Sequence, residues 1–336
     1  MILAGDIGGT KTNLALFAVQ EGSYAYAHMA TYPSQSYPDL QTIVKEFLES
    51  SKTMYAAATL QTACFAIAGP IVDNVCKATN LPWIIDAAHL ARALDLQSVY
   101  LLNDLEANAW SIEILSQDNL FELYPGKGSK LGNRAVVSPG TGLGEAGLYW
   151  DGKFHHPFAC EGGHCEFGPR DELQIEFCRY LQSKFGHASY ERILSGPGLL
   201  NTYYFFKEKI KIEEDSWLQE EFKLTDPAKV ITQNALSHKS DICVKALNLF
   251  VSILGSEASN CALKFMSKGG LYLGGGIPPK ILPKLKEPIF FNGFVDKGRF
   301  RELLEGIPVY VILDDKASLK GAAHYCRLKL QMRSFF

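Results

Sequence analysis

Short apolar runs alternate along this chain with longer stretches in which apolar residues recur every three or four positions. Runs of the first kind are typical of buried strands, and stretches of the second kind are typical of helices with one buried face. The strand-like runs lie at residues 2–5, 13–17, 64–68, 99–102, 135–137, 146–150, 271–273 and 309–313. This alternation predicts an α/β fold in which functional loops follow the ends of strands.

Three stretches are predicted to be helical. The first has an apolar stripe from Leu40 to Leu48, and we expect Ser36 to cap it, because Asp39 follows three residues later. A longer stripe runs to Phe265 in steps of three and four, which predicts a buried helix that stops at Gly269-Gly270. The last helix follows Ala317, and we expect it to pack on the N-terminal part of the chain.

Two pairs of strands enclose glycine-rich turns, and each pair predicts a hairpin. The first turn lies between the runs at residues 2–5 and 13–17, and the second between those at 135–137 and 146–150. Both contain a Gly-Thr step. This repeated layout predicts two related lobes that each present one turn. The expected smaller lobe comprises residues 1–113 with 315–336, and the larger lobe residues 114–314.

Glycine-rich turns let backbone N–H groups approach phosphate oxygens closely. A nucleotide is therefore a candidate ligand, although a tight hairpin would need some of the same glycines. A third glycine cluster follows the strand at 271–273 and is a candidate purine contact or a simple strand-to-helix turn. The candidate ATP-binding residues are Gly5, Asp6, Ile7, Gly8, Gly9, Thr10, Gly140, Thr141, Gly142 and Gly275. Asp6 is also the candidate Mg²⁺ ligand, acting through water, because Mg²⁺ takes few carboxylates and retains waters.

Composition narrows the class of protein. The chain has 336 residues, which is long enough for two lobes, and its 47% of hydrophobic residues can build large cores. A net charge of −3 without a basic run argues against nucleic acid as a partner. The 8 cysteines are spread through the chain, as is normal in a reducing compartment. We expect no signal peptide and no membrane span, and hence a cytoplasmic protein.

Five motifs occur in the order found in bacterial glucokinases, which the chain resembles from end to end. They are Gly5–Thr10, Asn103-Asp104, Gly140–Gly144, Glu161–His164 and Glu191–Gly198. The resemblance implies a two-lobed actin-like ATPase (ribonuclease H-like) fold, with a cleft between a smaller α/β lobe and a larger α+β lobe. It also implies a homodimer that uses ATP and Mg²⁺. The implied reaction transfers the γ-phosphoryl of ATP to the 6-hydroxyl of D-glucose, giving glucose 6-phosphate and ADP, the first step of glycolysis.

The resemblance also implies roles for individual residues. Asp104 matches the catalytic base, and a carboxylate there can orient a hydroxyl and accept its proton. The sugar contacts are matched by Asn103, Glu161, His164 and Glu191. Such side chains suit vicinal hydroxyls, and a site made of these bonds rejects the wrong stereochemistry. Simple structural roles are the alternatives: an Asx turn at Asn103-Asp104, a satisfied histidine, and a helix start at Glu191.

Several alternatives stay open. The substrate could be mannose, fructose or an amino sugar. A sugar-sensing regulator is disfavoured because the first strand starts at residue 2, before any DNA-binding helix pair, and because Asp104 is retained. An actin- or chaperone-like ATPase would leave the sugar contacts without a purpose.

Two further segments stand outside these motifs. Cys160, His164, Cys165 and Cys178 are spaced unlike a structural zinc site, because the Cys-x-Cys step is missing, so buried thiols are the favoured interpretation. Lys297-Gly298-Arg299 resembles a segment of the same family, but no role follows from its sequence.

Overall fold

The computed structural model describes residues 1–20, 23–52, 60–128 and 131–333. These residues divide into two units. The first unit is Met1–Asp118 together with Asp314–Phe336, and the second unit is Asn119–Leu313. Each unit has its own hydrophobic core.

The secondary structure follows the alternation predicted from the sequence. The strands are β1 (Ile2–Ile7), β2 (Lys11–Gln20), β3 (Ser23–Pro33), β4 (Thr62–Ile67), β5 (Ile71–Val72), β6 (Val75–Lys77), β7 (Ile84–Asp86), β8 (Ser98–Asn103), β9 (Leu120–Tyr124), β10 (Arg134–Pro139), β11 (Leu143–Trp150), β12 (His155–Cys160), β13 (Gly270–Leu273) and β14 (Val309–Ile312). The α-helices are α1 (Leu40–Ser50), α2 (Ala87–Ala93), α3 (Asp104–Ser111), α4 (Glu172–Phe185), α5 (Gly196–Glu208), α6 (Ser216–Leu224), α7 (Pro227–Leu236), α8 (Asp241–Phe265), α9 (Leu282–Leu285), α10 (Pro288–Val295), α11 (Arg301–Glu305) and α12 (Ala317–Arg333). Each predicted strand is present within one of these ranges or shifted by one residue.

The first unit is built on a five-stranded sheet with the order β3-β2-β1-β4-β8. Strand β1 pairs antiparallel with β2 and parallel with β4, which pairs parallel with β8. Because side chains alternate along a strand, Leu3 and Phe65 lie in the core with α1, whereas Ala4 and Cys64 lie in the core with α12. The prediction that the last helix packs on the N-terminal part of the chain is therefore confirmed.

Helix α1 begins later than a Ser36 cap would place it. Its N-cap is Asp39, whose side chain accepts a hydrogen bond from the backbone N of Thr42, and Ser36 ends a short 3₁₀ turn. The expected Ser36 cap is wrong, because the carboxylate of Asp39 is placed to satisfy a free N–H of the first turn.

The second unit is built on a six-stranded sheet with the order β12-β11-β10-β13-β14-β9. Helix α8 is its central helix, with residues such as Leu247, Phe250 and Leu254 fully buried. The helix ends at Phe265, where Met266 takes the left-handed conformation with φ 49°, so the predicted stop at Gly269-Gly270 is four residues too late. Length and composition alone would let α8 cross a membrane, contrary to expectation, but 78% of its most apolar window is buried within the protein.

Candidate active site

In the first unit, three strand ends bring candidate residues to one edge of the sheet. Strands β1, β4 and β8 are parallel, and Ile7 is in register with Ile67, which is in register with Asn103. Neighbouring strands lie about 4.8 Å apart, so the ends of β1 and β8 are separated by roughly 10 Å. The turn after β1 and the Asn103-Asp104 step therefore lie on the same edge.

Asp6 lies near the end of β1, where part of the residue remains accessible but its carboxyl group is enclosed. Asn13 Nδ2 and Ser318 Oγ each donate to it at 3.4 Å. Burial raises the pKa of Asp6, while the Asn13 bond, the charge of Lys316 and the Ser318 bond act in the opposite direction. Ser318 and Lys316 could not be recognised from the sequence, because they are more than 300 positions from Asp6 and come close to it only when the start of α12 packs on the sheet.

The turn after β1 is fixed by backbone bonds and by Ser34. Gly8 N donates to Lys11 O at 3.0 Å, and Ser34 Oγ donates to Gly8 O at 2.7 Å. The backbone N of Ser34 donates to Thr10 O at 3.0 Å. Ser34 is a buried residue that the motif did not include, and it holds this turn in a fixed shape.

Asn103 ends β8 and caps α3. Leu105 N donates to Asn103 Oδ1 and to Asp104 Oδ1, both at 2.9 Å, so the local turn considered from the sequence is present. Asn103 Nδ2 also donates to Gly69 O at 3.3 Å, which ties the ends of β4 and β8 together. Burial and then the nearby charge of Asp104 raise the pKa of the Cys76 thiol, which places the Asp104 carboxylate near β6.

In the second unit, the turn between β10 and β11 is closed by Gly140 N, which donates to Gly142 O at 2.8 Å. Gly140 O in turn accepts from Gly196 N, the first residue of α5, at 2.8 Å. The two motifs Gly140–Gly144 and Glu191–Gly198 are thus joined directly.

The Glu191 carboxylate lies against this turn. Its Oε2 accepts a hydrogen bond from Leu143 N at 3.0 Å. A Cβ atom on Gly142 would lie 2.5 Å from the same oxygen, so only glycine leaves room for the carboxylate here. A candidate sugar contact and a candidate phosphate turn are therefore in contact.

The third glycine cluster lies beside the same turn. Gly274 N donates to Val137 O at 3.0 Å, and Ile277 N donates to Pro139 O at 3.3 Å. Gly275 has φ +79°, and a Cβ there would lie 2.5 Å from Pro139 O. The structure thus brings Gly275 next to the Gly140–Gly142 segment.

Glu161 and His164 lie in a short 3₁₀ turn that packs on β11. A Cβ on Gly163 would collide with Leu143 O, and His164 N donates to Glu161 O at 3.0 Å. The side chains of Glu161 and His164 are exposed. The backbone N of Tyr190 donates to Cys165 O at 3.1 Å, so this turn also borders the segment that carries Glu191.

The cysteines near this turn do not form a metal site among the described residues. Cys165 is exposed, and Cys160 and Cys178 are partly buried, so the expectation of buried thiols is wrong for Cys165. Within the described ranges, the group with metal-binding geometry is instead Glu145, Glu257 and Cys261.

Lys297, for which the sequence indicated no role, is hydrogen-bonded to α8. Its Nζ donates to Asn260 Oδ1 at 2.7 Å and to Ser256 Oγ at 3.2 Å.

Comparison with known proteins agrees with this geometry. The glucokinase family model matches residues 3–329. A glucokinase of Nostoc punctiforme is 39% identical, covering 96% of this chain and 98% of that protein. The crystal structure of a glucokinase from an Antarctic psychrotroph superposes with TM-score 0.84 at 28% identity, covering 97% of this chain and 98% of that one. A ROK family glucokinase from Streptomyces griseus, in complex with glucose and AMPPNP, has the same fold, with TM-score 0.65 at 20% identity over 97% and 99% of the two chains.

The α/β sheets agree with the actin-like ATPase fold of these structures, and the matching proteins show that the chain is a sugar kinase. The enzyme class is an ATP-dependent phosphotransferase. The chain belongs to the glucokinase family.

Proposed function

We propose that this enzyme transfers the γ-phosphoryl of Mg-ATP to the 6-hydroxyl of D-glucose. The observation that carries this proposal is the contact of Glu191 with Gly142 and Leu143, which joins a sugar-binding carboxylate to a phosphate-binding turn. The Nostoc punctiforme glucokinase matches nearly the full length of the chain, and the Streptomyces griseus neighbour holds glucose and an ATP analogue.

In this proposal the first unit supplies the base. Asp104 orients the 6-hydroxyl and accepts its proton as the phosphoryl group moves. Asn103 has its Oδ1 engaged by Leu105 N, and its Nδ2 donates only weakly to Gly69 O at 3.3 Å. Nδ2 carries two N–H groups, so the second one can donate to a neighbouring sugar hydroxyl while Oδ1 keeps the cap of α3.

The second unit supplies the rest of the sugar contacts. Glu161 and His164 project exposed side chains from one turn, and Glu191 keeps one carboxylate oxygen on Leu143 N. The other oxygen of Glu191 is then the one that faces sugar hydroxyls. Acceptors fixed in this way favour one stereochemistry, because an epimer would leave them unpaired.

Each unit has a glycine turn that we propose as a binding segment for nucleotide phosphates. Gly8, Gly9 and Thr10 follow β1, and Gly140, Thr141 and Gly142 follow β10. The N–H groups of Gly8 and Gly140 close their own turns, so the proposal assigns the phosphate oxygens to the backbone N–H groups of Gly9, Thr10, Thr141 and Gly142, which bind them without adding charge. Gly275 lies beside the second turn, and a Cβ on the adjacent Gly276 would meet no atom within 4 Å, which leaves space there for the nucleoside.

The residues around Asp6 fit a hydrated Mg²⁺. The raised pKa of Asp6 indicates that its buried charge is incompletely compensated by Asn13, Ser318 and Lys316, and a cation would complete that compensation. Mg²⁺ would neutralise charge on the β- and γ-phosphates during transfer. Asp6 would hold it through water, and Asn13 and Ser318 would orient the carboxylate.

We further propose that the two units are the two lobes of the kinase and that the enzyme is a cytoplasmic homodimer. All eight cysteines are unpaired, as expected in a reducing compartment. Two-fold dimers are the commonest oligomers, and size-exclusion chromatography with light scattering measures this state directly.

A coupled assay of ADP formation with Mg-ATP and a panel of hexoses tests the proposed function. Glucose is expected to give the highest kcat/KM, above mannose, fructose and glucosamine. A higher value for another hexose would reassign the substrate. Glucose binding without ADP formation would favour a sensor, and ADP formation without sugar would favour a protein-directed ATPase.

A further inference from the structure

A buried acidic cluster lies directly behind the sugar-binding turns of the second unit. Glu145 follows the Gly140–Gly144 turn on β11 and is 2% exposed, and Glu257 on α8 is fully buried. A carboxylate oxygen of Glu145, a carboxylate oxygen of Glu257 and the Sγ of Cys261 all lie within 4.8 Å of one another. None of these residues has a part in the proposed reaction.

The cluster touches both sugar-binding segments. A Cβ on Gly162 would collide with Glu145 Oε2, so the Glu145 carboxylate supports the turn that carries Glu161 and His164. On the other side, Asn260 Nδ2 donates to Glu257 Oε2 at 2.8 Å and to the Tyr190 hydroxyl at 3.0 Å. Tyr190 immediately precedes Glu191, and its own hydroxyl accepts from Gly168 N at 3.3 Å.

One oxygen of this cluster lacks a donor. Glu145 Oε1 is buried and has no hydrogen-bond partner among the described residues. Buried polar atoms are almost always paired, because an unpaired one costs about 1–3 kcal/mol. A proton held between Glu145 and Glu257 would supply the missing donor, since two carboxyl groups this close do not both ionise.

We propose that Glu145 and Glu257 share one proton and act as positioning residues, holding the Glu161–His164 turn and the Tyr190-Glu191 segment in the geometry that binds the sugar. This inference rests on the proposed sugar-kinase function. Loss of the proton places two charges in one buried site, and their repulsion displaces Glu145 against Gly162 and thereby weakens sugar binding.

Burial and the surrounding charges set the pH at which the shared proton is lost. Burial first, and then the charge of Glu257, raise the pKa of Glu145 to about 7, whereas the Cys261 thiol and then the charge of Lys264 act in the opposite direction. The titratable groups that face the pair are Glu257, Cys261 and Lys264 of α8, Cys160 at the end of β12, Tyr190, and Lys297. The pair is therefore protonated below neutral pH and loses its proton as the pH rises through about 7.

A metal ion is a less suitable occupant. Lys264 Nζ lies 3.9 Å from Glu257 Oε1, and Cys261 Sγ donates to the same oxygen at 3.7 Å. An ammonium group at this distance already compensates one carboxylate, and three ligands fall short of the four that a structural zinc site uses.

The test compares the wild type with Glu145→Gln, whose amide supplies a permanent donor. With saturating ATP, the glucose KM of the wild type is expected to rise about threefold or more between pH 6.5 and 8.5, with a smaller change in kcat. In Glu145→Gln the KM is expected to change less than about twofold over this range. Glu257→Gln, which also supplies a donor, should flatten the profile in the same way.

Glu220→Gln is the matched control, because Glu220 is 70% exposed on α6 and should leave the wild-type profile unchanged. A Glu145→Gln profile that rises like the wild type overturns the proposal. So does stoichiometric metal in the purified wild type that Glu145→Gln lacks. Glucose binding measured by calorimetry without ATP at the same pH values separates this result from failure of the proposed function, which would instead abolish phosphorylation in the wild type.

Discussion

At the residue scale, Asp104 combines a structural and a proposed chemical task. Its Oδ1 accepts from Leu105 N, which helps to start α3, and its carboxylate is the proposed acceptor of the sugar proton. Asn103 shares the structural task, because its own Oδ1 also accepts from Leu105 N. The local fold therefore does not depend on the charge of Asp104, and this allows a clean test.

Asp104→Asn is expected to lower kcat by about 10²–10⁴, because the amide keeps the shape and the bond to Leu105 N but accepts no proton. The glucose KM should change much less, since the hydrogen-bonding geometry remains. Steady-state kinetics with glucose and Mg-ATP measure both values. Asp73→Asn is the control, because Asp73 is exposed in the same unit with φ 51°, a conformation that Asn also adopts. Unimpaired turnover in Asp104→Asn would remove Asp104 from its role.

Glu191→Gln is expected to raise the glucose KM about tenfold and leave the ATP KM nearly unchanged. The amide oxygen can still accept from Leu143 N, so the turn is preserved while a charged hydrogen bond to the sugar is lost. Separate titrations of glucose and ATP measure the two constants, with Glu220→Gln as the exposed control. Equal weakening of both substrates would place Glu191 outside the sugar site.

At the element scale, the hairpins were predictable and the contacts that surround each of them were not. The runs around Gly5–Thr10 and Gly140–Gly144 predicted β1–β2 and β10–β11, because short apolar strands around glycines have few other folded forms. The start of α1 was misplaced, because Ser36 and Asp39 are both good caps and only the packed structure selects Asp39.

The contact between Glu191 and Gly142 joins residues 49 positions apart, and the motifs alone gave no sign of it. The same holds for Ser318 beside Asp6 and for Lys297 on Asn260. These contacts arise when whole elements pack together, so a sequence identifies the residues that carry chemistry more readily than the residues that support them.

Gly142→Ala tests whether the turn between β10 and β11 positions Glu191. The new Cβ would lie 2.5 Å from Glu191 Oε2, so the carboxylate must move and its bond to Leu143 N is lost. We expect the glucose KM to rise at least about tenfold, comparable to losing a charged hydrogen bond. The thermal midpoint should change little, because Gly142 is only partly buried and the adjacent Thr141 is exposed.

Gly196→Ala is the matched control in the same corner. Its Cβ would meet Gly140 O and Ala228 Cβ at ordinary distances of 3.7 and 3.9 Å, and alanine is favourable at a helix start. A glucose KM in Gly142→Ala that equals that of Gly196→Ala would show that the position of Glu191 does not depend on this glycine.

At the scale of the whole molecule, the two ends of the chain build the first unit together. Helix α12 covers one face of the sheet through Leu319, Ala322 and Ala323. Its His324 is 9% exposed, and the Tyr24 hydroxyl on β3 lies 2.6 Å from His324 Nδ1. Burial, and then the charge of Arg327, lower the pKa of His324 to about 4. The folded unit therefore favours a neutral imidazole, whose Nδ1 accepts a hydrogen bond from the Tyr24 hydroxyl.

His324 makes the fold sensitive to acid in a defined window. An unfolded histidine binds a proton near pH 6.5, whereas the folded one binds it near pH 4, so the unfolded state holds more protons between these values. The free energy of unfolding therefore falls as the pH is lowered from 6.5 toward 4. At pH 5 the titration of this residue lowers the free energy of unfolding by about 2 kcal/mol relative to neutral pH.

His324→Gln should remove this part of the acid sensitivity, because the amide oxygen can accept from Tyr24 at any pH. Urea unfolding at pH 7 and pH 5 is expected to show the wild type losing about 2 kcal/mol more than the variant. His89→Gln is the control in the same unit, since His89 is exposed and should follow the wild type. Equal losses in the wild type and His324→Gln would mean that the imidazole is charged in the folded protein. The Tyr24 hydroxyl would then accept a hydrogen bond from His324 instead of donating one.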